Sequence, residues 1–248
     1  MNHAIVVIPC YNEAKRLPVN QFMAFDSDRY DTKFIFVNDG STDSTLEIIE
    51  SLRARTPCRY FVHNMTRNTG KAEATRAGLL LAFQENPRYV GFWDADLATP
   101  LDAINDFCQL LDGNPSIEMI FGARVRLLGR LIQRRAIRHY PGRIFATAAS
   151  LMLGLSVYDT QCGAKLFRAT PQIKLLFNEP FETKWLFDVE IIARLIKARR
   201  GTAMPQAEDV IYEFPLHEWR DVPGSKVRPK DFVVAFVELC TIWRRYLR

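Results

Sequence analysis

Short apolar runs alternate with helix-spaced segments along the first half of this chain. Residues 4–9, 34–37, 59–63, 89–93 and 117–122 are rich in β-branched and aromatic residues and are of strand length. Between them, apolar positions recur every three or four residues. Leu46, Ile49 and Leu52 follow Ser44 and Glu47, which match a capping box, and Leu101, Ile104, Phe107 and Leu111 follow Thr99 and Pro100, which fit an N-cap and a first helical position. Asp112-Gly113-Asn114-Pro115 stops that second helix. Strands alternating with helices predict an α/β fold whose mainly parallel sheet is flanked by helices. Ligands of such sheets bind beyond the carboxyl ends of the strands. Here the first four strands all run into polar residues: Asn12-Glu13, Asn38-Asp39-Gly40-Ser41, Asn64 onward, and Asp94-Ala95-Asp96. Residues 187–198 are strongly helical, with Asp188 in the first turn, where an acid also suits the helix dipole.

Asp94 and Asp96 end an apolar strand at positions i and i+2. On an extended backbone they share a face and can share one small, hard cation, which keeps sites open for water and phosphate oxygens. A solvated loop after an edge strand is the competing reading. Asp39 sits in a sequence that also makes a good Asx turn. Lys71 follows a glycine at a helix start, where anions are favoured, and a plain surface lysine is its alternative.

The 248 residues, 48% of them apolar, suffice for one large or two small domains. Five scattered cysteines with no CxxC pair point to neither a disulfide framework nor a zinc knuckle, which makes a reducing cytosol the expected home. No leader is expected at the N-terminus. The longest apolar stretches, 144–157 and 232–243, fall short of the roughly 20 residues that span a bilayer, so any membrane contact lies on the surface. The net charge of +5 is modest but localised. No acid lies between Glu118 and Asp159, whereas Arg124, Arg126, Arg130, Arg134, Arg135, Arg138 and Arg143 all do, interleaved with leucine, isoleucine and valine. Charge and pattern leave three readings: interfacial helices on anionic lipid with arginine for phosphate, a solvated basic helix packed by its leucines, or nucleic-acid binding.

Four motifs in register carry a resemblance: Val7-Ile8-Pro9-Cys10-Tyr11-Asn12-Glu13, Val37-Asn38-Asp39-Gly40-Ser41-Thr42-Asp43, Asn68-Thr69-Gly70-Lys71 and Asp94-Ala95-Asp96. In that order they resemble the family 2 glycosyltransferases of GT-A fold. Farther on, Asp159-Thr160-Gln161-Cys162-Gly163-Ala164-Lys165-Leu166-Phe167, Trp185-Leu186-Phe187-Asp188-Val189-Glu190 and Pro223-Gly224-Ser225-Lys226 resemble the branch that makes polyprenyl-phosphate sugars, dolichyl-phosphate β-glucosyltransferases above all. The resemblance runs from Ile5 to about Lys226. Two departures stand out: Ala164 replaces a common aromatic, and the membrane-spanning segments of many members are missing.

The resemblance implies a catalytic domain over 1–228, with a nucleotide-binding half (1–123) and an acceptor-binding half (124–228), followed by an amphipathic helix at 229–248. It implies UDP-glucose as the sugar donor, held by Pro9, Tyr11, Asn12, Glu13, Asp39, Lys71 and Asp94, with uracil near Pro9 and Tyr11 and its N–H on Asp39. Mg²⁺ or Mn²⁺ is expected on Asp94 and Asp96. Asp159, Gln161 and Asp188 are placed with Asp94 and Asp96 in the catalytic set, Asp188 and Glu190 near the sugar hydroxyls. Arg124, Arg126 and Arg143 are expected to hold a polyprenyl, dolichyl-like phosphate. His217, Trp219 and the Gly224-Ser225-Lys226 turn are expected in a loop over the donor. The expected setting is peripheral, on the cytoplasmic face of a membrane, where a separate protein can supply an anchor; no nucleic-acid partner is expected. Rival readings are mannosyl transfer from GDP-mannose and family 2 transfer to a carbohydrate hydroxyl. A nucleotidyltransferase lacks its glycine-rich N-terminal loop here, and the intact acids argue against a catalytically idle membrane or RNA-binding module.

Overall fold

The computed structural model describes residues 3–27, 29–133, 136–222 and 230–248, with 136–143 and 230–233 described by backbone alone. All five expected strands form within three residues of their predicted bounds: β1 (His3–Cys10), β2 (Asp31–Asp39), β3 (Tyr60–Met65), β4 (Tyr89–Trp93) and β5 (Met119–Ala123). Between them lie α1 (Val19–Ala24), α2 (Thr45–Arg55), α3 (Lys71–Gln84) and α4 (Ala103–Gly113). The second half adds the strands β6 (Leu131–Gln133), β7 (Ala164–Arg168), β8 (Ile211–Pro215) and β9 (Glu218–Arg220). Its helices are α5 (Ala136–Leu153), α6 (Pro171–Leu175), α7 (Phe187–Arg199), α8 (Ala207–Val210) and α9 (Lys230–Ile242), closed by a π-helical turn, Trp243–Leu247.

Seven strands form one sheet in the order β3-β2-β1-β4-β7-β5-β8. Neighbours run parallel except for β7, which is antiparallel to both β4 and β5. β6 and β9 form a separate parallel ribbon. The chain moves outward from β1 to β2 and β3 and then returns to pair β4 on the other side of β1. The crevice beyond β1 and β4 is therefore the topological switch point, where α/β sheets take their ligands.

Side-chain alternation along the strands explains the two cores. Ala4, Val6, Ile8, Phe34 and Phe36 face one way, with Ile49 and Leu52 of α2 and Ile104, Phe107 and Leu111 of α4. Ile5, Val7, Ile35, Val37 and Phe92 face the other, with residues of α3, α5, α7 and α9. Strands buried on both faces read as unbroken apolar runs, which is why the sequence located them.

Helix starts depart from expectation. Ser44 is the N-cap of α2, but Asp43 supplies the side-chain bonds, accepting from the Thr45 N–H at 3.0 Å and its hydroxyl at 2.5 Å. α4 starts at Ala103 with Asp102 at its N-cap, and Pro100 lies in the turn before it. The Thr99 carbonyl accepts from the Trp93 indole at 3.1 Å, which ties Thr99 to the strand rather than to the helix.

Candidate active site

The loops leaving β1 and β2 are stitched together by uncharged donors. Asn12, at φ +52°, accepts from the Thr42 N–H at 2.8 Å and donates its own N–H to Ser41 Oγ at 3.0 Å. The Glu13 N–H donates to Thr45 Oγ1 at 2.8 Å, and the buried Glu13 carboxylate takes Arg16 through both oxygens, at 2.7 and 2.8 Å. Pro9 pairs with Val37 in the ladder, and Pro9 and Tyr11 are half-buried at the exit of β1. Asp39, the last residue of β2, is buried. One of its oxygens accepts from the Thr69 N–H and hydroxyl at 2.7 and 3.0 Å, and the other from the Gly70 N–H at 2.9 Å. The next residue, Gly40 at φ +62°, packs so closely that a Cβ would lie 2.5 Å from the Arg67 backbone. Beside this junction opens a cleft of about 400 Å³ lined by Arg67, Asn68, Thr69, Gly70 and Lys184.

Asp94 and Asp96 lie past the end of β4, in a turn closed by the Leu97 N–H on the Asp94 carbonyl at 3.1 Å, with Leu97 at φ +49°. The extended-backbone argument for their shared face therefore fails, because the strand stops at Trp93. The two carboxylates nevertheless act on each other: burial pushes the Asp96 carboxyl up and the Asp94 charge adds to it. Asp96 accepts from the Ala98 N–H at 3.1 Å and has Arg16 at 4.0 Å. Asp94 is ion-paired with Lys71, the first residue of α3. Burial works against the Lys71 charge, yet the nearby Asp94 and Asp188 outweigh it and hold the ammonium's pKa up.

Two neighbouring carboxylates, one carrying a raised pKa, are a donor set suited to a hard divalent cation that keeps most of its sites for water and phosphate. Among the described residues no group of three or more His, Cys, Asp or Glu side chains is arranged for a metal, so of these side chains Asp94 and Asp96 are the pair that would hold one. Sequence reasoning missed how Asp94 is seated. Its N–H donates to the Gly163 carbonyl at 2.8 Å, and a Cβ on Gly163 would fall 1.9 Å from Asp94 Oδ2.

Asp159, expected in the catalytic set, and Arg124, expected on the acceptor phosphate, pair with each other. Arg124 Nε and Nη2 reach the two Asp159 oxygens at 2.6 and 2.7 Å, and the Arg124 N–H adds a bond at 3.0 Å. Burial disfavours the guanidinium charge, but Asp159 more than compensates and the Arg124 pKa is raised. Trp219 stacks on Arg124 at 5.3 Å. Glu213, raised by burial, accepts the N–H groups of Tyr158 and Asp159, both at 2.7 Å. Gln161 follows in the same loop, and its buried Nε2 has no hydrogen-bond partner among the described residues.

Asp188 is buried and ion-paired at 2.5 Å with Lys165, itself fully buried. Burial raises the Asp188 carboxyl, and the Lys165 charge works against the shift. Lys165 also donates to the Thr160 and Cys162 carbonyls at 3.0 and 2.6 Å and lies over the Phe92 and Phe121 rings. It therefore fastens the 159–163 loop to α7. A lone lysine between Ala164 and Leu166 in an apolar strand was its only sequence signal.

Glu190 does not face a sugar site. It is fully buried and accepts from the N–H groups of Glu182 and Thr183, the Thr183 hydroxyl, Arg194 and the Tyr246 hydroxyl. Arg126 is exposed. The side chain of Arg143 and the whole of Gly224, Ser225 and Lys226 lie outside the described residues. In place of the expected covering loop, Trp219 belongs to β9 and pairs with Ile132 of β6. His217 touches Arg130 and lies 3.8 Å from Asp106.

The description "Glycosyl transferase family 2" matches residues 5–176. A Trichomonas vaginalis protein named dolichyl-phosphate beta-glucosyltransferase ALG5A is 30% identical over 250 residues, covering 96% of this chain and 72% of that one. Among solved structures, glucosyl-3-phosphoglycerate synthase from Mycobacterium tuberculosis in complex with UDP superposes at a TM-score of 0.64 with 19% identity, over 98% of this chain and 80% of that one. Mannosyltransferase PcManGT from Pyrobaculum calidifontis, in complex with GDP-Man and Mn²⁺, superposes at 0.61 with 15% identity over 97% of this chain, which spans only 64% of that longer one. The architecture is the GT-A fold that the sequence motifs implied.

Proposed function

This chain belongs to glycosyl transferase family 2 and is a glycosyltransferase; on that premise we propose that it transfers glucose from UDP-glucose to a polyprenyl, dolichyl-like phosphate with inversion. The observation that carries the reading is the chain of contacts at the exits of β2 and β4: Asp39 holds Gly70, and the next residue, Lys71, is ion-paired with Asp94. The relative's name supports glucose and lipid phosphate, and the UDP-bound neighbour supports the nucleotide. GDP-mannose is the second reading, supported by the neighbour solved with GDP-Man and Mn²⁺.

Asp94 and Asp96 would hold Mg²⁺ or Mn²⁺, which when bound neutralises charge on the departing diphosphate. Lys71 stands at the N-terminus of α3, where backbone N–H groups already favour anions, and contacts the diphosphate from there. Tyr11 and Pro9 flank the base, with Asp39 and Glu13 shaping the wall behind it. The Gln161 amide nitrogen donates to an oxygen of the sugar or of the incoming phosphate, which answers its lack of a partner among the described residues. A phosphate monoester, with a second pKa of about 6, is already anionic at neutral pH and requires no base. Asp188 is committed to Lys165 and Glu190 to its knot of donors, which argues against proton removal from a sugar hydroxyl and thus against a carbohydrate acceptor.

The acceptor half presents the apolar surface that a lipid phosphate requires. Ile144 and Leu151 of α5, Phe236 and Val237 of α9, and Leu127 and Leu128 beside Arg126 are exposed. α5 and α9 bury their other sides in one core, so each is amphipathic in place. No helix among the described residues is long and apolar enough to cross a membrane. The chain sits peripherally on the cytoplasmic face, with Arg126 toward the lipid phosphate. The test is a panel of sugar nucleotides incubated with short polyprenyl phosphates and Mn²⁺, scored for lipid-linked sugar by mass spectrometry. Glucose from UDP-glucose, lost on adding EDTA, is expected; lipid-linked mannose hands the case to the second reading, and product only on soluble sugars overturns both.

A further inference from the structure

Two carboxylates hold five consecutive backbone N–H groups just ahead of α7. Glu190 takes those of Glu182 and Thr183 at 3.0 and 2.9 Å. Glu238 of α9 takes those of Lys184, Trp185 and Leu186 at 3.0, 3.0 and 2.8 Å. Successive N–H groups turned toward one point form an anion-binding concavity, and this one is filled from within the protein. Glu190 belongs to the helix that follows the loop, but Glu238 comes from a helix more than fifty residues later. The C-terminal segment is clamped a second time, because the Tyr246 hydroxyl donates to Glu190 at 2.8 Å. The conformation of 182–186 therefore rests on a helix whose opposite side is exposed and apolar.

The loop so held has one side chain at the proposed site. Lys184 lines the cleft together with Arg67, Asn68, Thr69 and Gly70, and its ammonium engages none of the described residues. Thr69 and Gly70 are the residues fastened to Asp39, so Lys184 shares its cleft with the segment held at the exit of β2. Two residues past the Glu238 contacts, Asp188 joins Lys165 and the 159–163 loop that seats Asp94.

We propose that Glu238 is a positioning residue for sugar-nucleotide binding: from α9 it fixes the 184–186 backbone so that Lys184 stands at the cleft wall and contacts the diphosphate-bearing ligand. The inference rests on the nucleotide-sugar reading above and adds a residue and a helix to that site. A charged hydrogen bond to a phosphate is worth about tenfold in affinity.

UDP binding with Mn²⁺ is measured by calorimetry on the full chain, for wild type, Glu238→Ala, Glu238→Gln, Lys184→Ala and the double variant Glu238→Ala/Lys184→Ala. Both single alanine variants are expected to weaken UDP about tenfold. The double variant is expected to match the singles rather than multiply them, because both remove one contact. Glu238→Gln keeps the side chain's shape and is expected to fall between wild type and Glu238→Ala; thermal melts identify any variant that has simply unfolded, and Glu238→Gln then carries the comparison. With UDP-glucose as substrate, KM for the sugar nucleotide rises while kcat stays within about twofold. A folded Glu238 variant that binds UDP as wild type does, or a double variant whose losses multiply, overturns the inference alone. A wild type that binds no nucleoside diphosphate overturns the nucleotide-sugar reading, and the inference falls with it.

Discussion

Asp39, at the exit of β2, and Asp159, ahead of β7, are both buried, yet they are satisfied in opposite ways. Asp39 is surrounded by uncharged donors, two backbone N–H groups and a hydroxyl, all from the short segment that opens α3. Asp159 takes a guanidinium from 35 residues away. The contrast extends to their surroundings. Around β1 and β2, the Asn12, Glu13 and Asp43 contacts join neighbouring loops through N–H and hydroxyl groups. In the second half, Asp188 leans on Lys165 and Glu190 on Arg194, both pairs inside the core. Either buried carboxylate is costly to strip of its donors, but in the ion pairs a second buried charge has to be matched as well. The strand exits of the first half thus share neutral donors between loops, while the second half is tied together by matched charges inside its core.

The largest expected effect tests which acids remain available for chemistry. Asp96→Ala should cut turnover by at least about 1,000-fold by removing a metal ligand, with near-wild-type circular dichroism; near-normal rates place the cation elsewhere. Lys165→Met probes the ion-paired second half, since it strands the Asp188 charge in the core and should cost about 3–5 kcal/mol in urea unfolding. Adding Asp188→Asn should recover much of that loss, and a double variant no more stable than the single would mean that Lys165 acts through the Thr160 and Cys162 carbonyls alone. Arg126→Ala should raise KM for the lipid phosphate about tenfold and leave KM for UDP-glucose near wild type, as expected for a contact worth one charged hydrogen bond; equal effects on both substrates remove Arg126 from the acceptor side.

The smallest effect is a pH dependence. The folded-state pKa of Asp96 is raised, so the native state binds this proton more readily than the unfolded chain does. Ionised Asp96 thus costs stability above its folded pKa, and the cost is relieved as pH falls from there toward the ordinary carboxylate value. Asp96→Asn should be more stable than wild type near pH 7 in EDTA, and the gap should close on acidification; Mn²⁺ should narrow it at neutral pH by favouring wild type. A gap independent of pH would mean that the carboxyl is not the group responsible.

Uncharged stitching also decided what could be read from the sequence. The strands, the switch point and the motifs at Asp39 and Asp94-Asp96 were legible because strand burial and strand-exit loops are local patterns. The turn at Asp94 to Leu97 was not legible, since nothing in the local sequence demands a positive φ at a leucine. Lys165 read only as part of the 159–167 motif and Glu190 as an acid near the sugar hydroxyls; only the assembled sheet and α7 reveal that both are buried and paired. Arg124 and Asp159 were each singled out in the sequence, but their mutual pairing required the register of β5 beside β7 and β8. Glu238 carried no signal, because its partners are backbone N–H groups that every sequence possesses.

Gly163 has a consequence for anyone who would redesign this enzyme. Its missing side chain is the room in which Asp94 lies, and its carbonyl anchors the Asp94 backbone. A mutational library run through the 159–163 stretch would, at this one codon, push the Asp94 carboxylate out of its place. Diversity there has to be sought on either side of the glycine, with the glycine itself held constant.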